Sequence, residues 1–329
     1  MAIVGATGAV GIEFMNVLET LNFPLKNLSL LASKRSAGKK LTFRGEELTV
    51  EETTKDSFKN VDIALFSAGS SISRLYVNDV KNAGCVMVDN SSAFRMEPDV
   101  PLVVPEINPE DALKHKGVIA NPNCSTIIML IEVYPIYKKY PVKRIVLSTY
   151  QAASGAGWEA MEELRKASQA YLKEEPFQQS IMPHPYAFNL FSHNSKMLDN
   201  GYNEEEMKTY KETMKILHDP SITVTATCVR VPIFRAHSEA INLEFTGQAP
   251  GEEECRKLLS EFPGVKVVDD RKNNYFPMPN EASGKYDCLV GRIRADESLP
   301  GKAINLFVCG DQLLKGAALN AVQIARLLV

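Results

Sequence analysis

A chain of 329 residues, 45% hydrophobic and 23% charged, has the length and composition of a soluble globular protein with two domains. Its formal charge of −3 offers little to nucleic acid or an anionic bilayer, and its apolar runs fall short of the roughly 18–20 residues that a membrane span needs. Six cysteines without CxxC spacing and five histidines without HExxH pairing suggest neither a disulfide framework nor a metal site; with no signal-peptide pattern, a cytoplasmic protein is expected.

The chain opens MAIVGATGAVGIEFMNVLETL. A short apolar strand over 2–4 runs into Gly5, Gly8 and Gly11, and an amphipathic helix follows with Phe14, Val17, Leu18 and Leu21 on one side. The spacing G-x-x-G-x-x-G is a variant of the dinucleotide fingerprint. Its glycines let the backbone turn tightly and approach a pyrophosphate at the helix N-terminus. The strand before and the helix after favour that reading over a plain tight turn. The second strand, LSLLAS over 28–33, ends without the Asp or Glu that would bind a ribose 2′-hydroxyl. Ser33, Lys34, Arg35 and Ser36 stand there instead. A cation with hydroxyls suits a 2′-phosphate, so NADP is expected over NAD; a solvated basic loop is the plainer alternative.

Further strands are predicted at 61–69, 84–92 and 116–125, where continuous Ile/Val/Leu/Ala runs alternate with helical segments. This is the pattern of a parallel sheet covered on both faces, and function gathers at the carboxyl ends of its strands. Ser67 to Gly69, Asn90 to Ser92 and Cys124 all fall at such ends. The last of them reads NPNCST over 121–126, followed by the apolar run IIMLIEVYPIY, a loop entering a buried helix. A thiol at that mouth lies near unpaired backbone N–H groups and the positive end of the helix dipole, which favours the thiolate. The alternative is one more small buried hydrophobe.

After about residue 126 the alternation gives way to long strands at 144–152, 224–234, 238–245 and 288–296, predicted to form a mostly antiparallel sheet. Helices are predicted near 158–173, 204–217 and 252–262, and the closing DQLLKGAALNAVQIARLLV is a strong amphipathic helix able to return to the first domain. The expected division is 1–125 with 303–329, and 126–302. A thiol nucleophile needs a base. His237 lies at a strand-to-strand junction seven residues after Arg230, whereas His115, His184, His193 and His218 sit in polar or Pro-rich stretches. A lone histidine is more often structural than catalytic, so His237 remains open on this ground alone.

GATGAVG, FSAGSS, VDNSSAFR, VPEIN, NPNCST, STYQAASGAG, ATCVRVP, AHSE, VGRIR and LLKGAALNAVQIA, in order and nearly end to end, resemble aspartate-β-semialdehyde dehydrogenases of the bacterial type. Members of that family usually carry a few more residues before the first strand. The resemblance implies an α/β protein, an N-terminal Rossmann-type dinucleotide-binding domain with an α+β catalytic and dimerisation domain. It also implies NADPH-dependent reductive dephosphorylation of L-4-aspartyl phosphate to L-aspartate 4-semialdehyde, toward lysine (through diaminopimelate), methionine and threonine. The expected assembly is a homodimer, with a tetramer as the alternative, and the expected partners are the small-molecule substrate and phosphate. Carried over by position, Cys124 is the nucleophile, His237 the acid/base, and Gln151 orients the acyl intermediate. Arg230 clamps the substrate carboxylate, Glu205 takes its ammonium, and Arg95, Asn123 and Lys208 hold phosphate. Thr7, Gly8, Ala9, Val10, Arg35, Ser36, Ser154, Gly155 and Asn320 contact the cofactor beside Gly5 of the fingerprint.

The chemistry agrees with these residues. A thiolate attacks an acyl phosphate and forms a thioester, which accepts hydride where an oxygen ester resists it. N-acetyl-γ-glutamyl-phosphate reductase is the nearest rival, but its acetylated amine has no use for an acidic ammonium site. A cofactor-sensing protein without catalysis is the rival from another class. Cys124, Gln151, Arg230 and His237 standing together argue against it.

Overall fold

The apolar opening forms strand β1 (Ala2–Val4), and the run after its glycines forms helix α1 (Ala9–Thr20). The computed structural model describes residues 1–329 as two units, Met1–Asn123 with Gly316–Val329, and Cys124–Lys315. In the first, β2 (Ser29–Ala32), β3 (Lys40–Phe43), β4 (Glu46–Glu52), β5 (Ile63–Phe66), helix α2 (Ser70–Asn82), β6 (Val86–Asp89) and β7 (Val118–Ala120) complete the chain order. The sheet runs β3-β4-β2-β1-β5-β6-β7, parallel throughout except for the β3–β4 pair. β1 and β5 are buried along their whole length, as a parallel strand covered on both faces must be. The β3–β4 hairpin was not expected. Arg44 (φ 51°) and Gly45 (φ 80°) form its two-residue turn, both in the left-handed region that suits the twist of a hairpin.

The second unit begins with helix α3 (Cys124–Tyr137), buried on nearly every side, which explains its largely apolar sequence. β8 (Val142–Gln151), α4 (Trp158–Leu172), β9 (Phe191–Ser192), α5 (Glu204–Leu217), β10 (Thr223–Arg230) and β11 (His237–Phe245) follow. Then come α6 (Glu252–Ser260), β12 (Val265–Val267), the single turn α7 (Pro279–Ala282), β13 (Cys288–Ala295) and β14 (Ala303–Gly310). The order is β12-β13-β14-β11-β8-β10-β9; β12–β13 and β8–β10 are parallel and the other neighbours antiparallel. Along β11, His237, Glu239, Ile241, Leu243 and Phe245 share one buried face.

The closing segment differs from expectation. β14 pairs with β11 from His237↔Gly310 to Glu244↔Ala303, so residues 303–315 belong to the second unit and only Gly316–Val329 returns to the first. The long amphipathic helix expected there is a π-helical turn, Leu314–Ala318, and a shorter helix α8 (Leu319–Arg326), which packs on α1. No helix is long and apolar enough to cross a membrane.

Candidate active site

Two glycines of the first βα turn have no room for a side chain. A Cβ on Gly5 would lie 2.3 Å from Ser67 O, and one on Gly11 would lie 2.2 Å from Gly5 O. Gly5 also has φ +88°, a conformation that L residues rarely adopt. Thr7, Gly8, Ala9 and Val10 keep solvent exposure while the strand before them is buried. The first turn of α1 carries no acidic residue, and its N-cap Gly8 makes no side-chain bond. Its N–H groups are therefore suited to a pyrophosphate. Thr7 Oγ1 donates to Ser36 Oγ at 3.3 Å, linking this turn to the basic turn after β2, where Arg35 is exposed. The cradle fits a dinucleotide.

At the carboxyl ends of β6 and β7 a buried polar network forms. Asn121 Nδ2 donates to Asn90 Oδ1 (2.7 Å), and Arg95 donates from Nε to Asn121 O (2.9 Å) and from Nη2 to Asn90 O (3.0 Å). Asn320 Nδ2 donates to Asn121 Oδ1 (2.7 Å) and Val103 O (3.0 Å), which ties α8 to the β7 end. Both of its amide hydrogens thus serve the first unit's own loops. Asn123 is buried two residues along. Asn90 and Asn121 organise this region; in sequence they stood only as residues of a strand end and of the turn before Cys124, with no role assigned.

In the second unit Cys124 is the first residue of α3 and is half-buried; the other five cysteines are buried. Burial pushes the thiols of Cys85, Cys255 and Cys309 up to about 12, and that of Cys228 upward too. Among the cysteines only Cys124 keeps access to solvent. Gln151 ends β8, and in the parallel β8–β10 pair it lies opposite Arg230, which ends β10. Gln151 Nε2 donates to Ser125 Oγ (3.1 Å), Thr149 Oγ1 (3.3 Å) and Glu205 Oε1 (3.3 Å). The start of the cysteine's helix and the first turn of α5 are thereby tied to one amide. Lys208 pairs with Glu205 at 3.0 Å.

The three glutamates at 204–206 separate by geometry. Glu204 is exposed and Glu205 is buried toward Gln151. Glu206 closes a capping box with Asn203, each accepting the other's backbone N–H at 2.9 Å, and also accepts Cys228 N–H at 3.0 Å.

His237 opens β11, fully buried. Its Nδ1 accepts Ala152 N–H at 3.0 Å, so the neutral ring carries its proton on Nε2, an atom with no partner in the protein. Burial and then the Arg230 charge lower its pKa to about 3. A Cβ on Gly155 would lie 3.0 Å from His237 Nε2 and 3.1 Å from Arg230 Nη1, so the Ala152–Gly155 turn lies directly against both groups. Ala236, buried at φ 73°, precedes the histidine; its N–H is held by Gln312 Oε1 at 3.0 Å, while Gln312 Nε2 donates to Ser154 Oγ. Gln312, Ser125 and Asn194 (which bonds Arg230) escaped the sequence reading. A serine, asparagine or glutamine at such a place carries no signal of its own.

The structure therefore brings Gln151, Glu205, Lys208, Arg230, His237, Ser154 and Gly155 together around the start of α3, and gathers Thr7 with Ser36, and Arg95 with Asn320, in the first unit. Two family models match the chain, the semialdehyde dehydrogenase NAD binding domain over residues 1–115 and the semialdehyde dehydrogenase dimerisation domain over 133–315. Aspartate-semialdehyde dehydrogenase of Synechocystis is 56% identical across 100% of this chain and 97% of its own length. The crystal structure of aspartate semialdehyde dehydrogenase II of Vibrio cholerae, complexed with ASA, superposes with a TM-score of 0.96 at 43% identity, covering 99% of this chain and 97% of that one. The Candida albicans enzyme with NADP gives 0.74 at 25% identity, with 99% and 97% covered.

Proposed function

Because the chain belongs to the aspartate-semialdehyde dehydrogenase family, we propose that it reduces L-4-aspartyl phosphate to L-aspartate 4-semialdehyde with NADPH, through a thioester on Cys124. The observation that carries this reading is the Gln151 amide, bonded at once to Ser125, beside the thiol, and to Glu205. Cys124 reacts as the thiolate that the helix start favours: Sγ bonds to the acyl carbon while the C–O bond to phosphate breaks, and Arg95, Asn123 and Lys208 supply charge-assisted donors to the departing inorganic phosphate. Arg230 takes the substrate's α-carboxylate and Glu205 its ammonium, which fixes the acyl carbon relative to the thiol.

NADPH, when bound, supplies the hydride that reduces the thioester carbonyl. Gly5 and Thr7 to Val10 receive its pyrophosphate, Arg35 and Ser36 read its 2′-phosphate, and Ser154, Gly155 and Asn320 support the rest of its site. His237 holds its proton at Nε2, where it donates to the acyl oxygen as that oxygen becomes anionic. A neutral imidazole serves this role because collapse of the oxyanion to aldehyde and thiolate needs no further proton. The enzyme acts in the cytoplasm as a homodimer, on the path to lysine, methionine and threonine.

The test is NADP⁺ reduction by aspartate semialdehyde, with and without inorganic phosphate. Phosphate-dependent reduction is expected, lost by at least about a thousandfold in Cys124→Ala while NADPH binding is retained. Equal rates without phosphate, or a Cys124→Ala variant retaining substantial turnover, would overturn the reading. An N-acetylated acyl phosphate presents no ammonium to Glu205 and is expected to be a poor substrate.

A further inference from the structure

Arg230 is 4% exposed, so its guanidinium is largely stripped of water and its orientation must come from protein bonds. Two are present, Nη1 to Ala152 O and Nε to Asn194 Oδ1, both at 3.3 Å. The backbone carbonyl belongs to the turn that also seats His237, and the side-chain amide comes from a different segment, just after β9. That segment is fastened on both sides of Asn194. His193 N–H donates to Cys228 O at 2.8 Å, continuing the ladder with β10. Ser195 Oγ accepts Glu205 N–H at 3.1 Å, and Ser195 N–H donates to His193 Nδ1 at 3.2 Å. His193 must therefore keep Nδ1 unprotonated; burial, then Arg230, lower its pKa to about 4, in agreement.

We propose that Asn194 is a positioning residue for substrate recognition, bonding Nε of Arg230 so that the Nη1 and Nη2 groups present a fork to the substrate carboxylate. The His193–Ser195 segment then sets both groups that read the amino-acid end of the substrate, Arg230 through Asn194 and Glu205 through Ser195. This rests on the reading of Arg230 as the carboxylate clamp. Asn194 is exposed, and one hydrogen bond of 3.3 Å from an exposed side chain adds little to stability, so its replacement leaves the fold intact. Its consequence is directional: a guanidinium held only through Nη1 by Ala152 O can tilt about its last torsions and meet a carboxylate with one N–H instead of two.

The experiment is a double-mutant cycle on the semialdehyde-oxidising reaction, with KM measured separately for semialdehyde and phosphate. Asn194→Ala is expected to raise the semialdehyde KM about three- to tenfold, the size of one ordinary hydrogen bond because the arginine itself remains, with the phosphate KM and thermal midpoint unchanged. In an Arg230→Leu background the same change should have no further effect, because Asn194 acts only through the arginine. Asn194→Asp keeps the acceptor but sets a negative charge against the clamp, and should raise the semialdehyde KM above that of Asn194→Ala. An unchanged KM in Asn194→Ala, or an equal rise with and without Arg230, overturns the proposal. An Arg230→Leu variant with normal semialdehyde KM instead overturns the clamp assignment beneath it.

Discussion

At the residue scale, the decisive feature is a histidine that is buried, neutral and already committed at one nitrogen. With Nδ1 held by Ala152 N–H and a pKa of about 3, His237 gains its second proton only far below neutrality. The kcat/KM profile of the wild-type enzyme is therefore expected to show no acid limb from this ring between about pH 5 and 9. His237→Asn should lower the rate throughout that range without changing the profile's shape. A limb near pH 6–7 that disappears in His237→Asn would contradict the assignment of a neutral donor. Gly155 is a second sensitive position. Its backbone approaches the imidazole so closely that Gly155→Ala would set a methyl carbon 2.9 Å from His237 Cε1 and 3.1 Å from Arg230 Nη1. Neither buried group can retreat cheaply, so kcat is expected to fall and the semialdehyde KM to rise together. Wild-type values for both constants would mean that the turn moves aside.

At the scale of elements, the first turn of α5 shows how a local motif carries a distant role. Asn203 and Glu206 close its capping box, and Glu205 rides between them toward Gln151. Asn203→Ala should cost about 1 kcal/mol of stability and, by loosening that turn, raise the semialdehyde KM while the phosphate KM stays put. Urea denaturation and the two KM values check this; a stability loss with both constants unchanged would separate the cap from the site. The same turn marks the limit of what sequence discloses. EEE at 204–206 gives no ground for choosing among three glutamates, because the choice depends on which faces Gln151, 54 residues away. The βα turns and β1, β5, β6 and β7 were legible because full burial writes itself as continuous apolar runs. The β3–β4 hairpin was not, since its exposed charged strands, KLTF and EELTVEE, imitate solvated loop. Residues 303–310 were not read as a strand and went with the rest of 303–329 to the first domain; only the pairing of β14 with β11 shows which sheet they join. Cys124, Arg230 and His237 were singled out by their places at a helix start and at a strand junction, and Gln151 by the family resemblance; all but Cys124 are buried. Gln312 and Asn194 were not singled out, because they act by bonding neighbours that are remote in sequence.

At the scale of the whole molecule, one buried pair links protonation to stability. Glu132 on α3 and Glu239 on β11 are both 0% exposed, and none of their four carboxyl oxygens meets a donor of the protein. Burial raises both pKa values well above the ordinary carboxyl value of 4.5, and the charges of Glu239 and Asp287 raise Glu132 further. Folded, the pair holds its protons to higher pH than it does unfolded, where they are released above about 4.5. The folded state thus binds more protons, and stability must fall as pH rises from the unfolded toward the folded value. The contribution is complete below the unfolded pKa and is lost as pH passes through the folded one. Each retained proton sets a slope of at most about 1.4 kcal/mol per pH unit. Gln is the uncharged analogue of a protonated Glu, so the double variant Glu132→Gln with Glu239→Gln should remove that slope. Urea unfolding at fixed protomer concentration should find it more stable than wild type at pH 8, with the difference shrinking toward pH 5. The consequence reaches the chemistry because α3 begins at Cys124 and β11 at His237. Alkaline inactivation of the wild type should accordingly be slowed in the double variant. Parallel stability curves for the two proteins across this range would show that the pair is ionised in the fold and that its charges are balanced by other means.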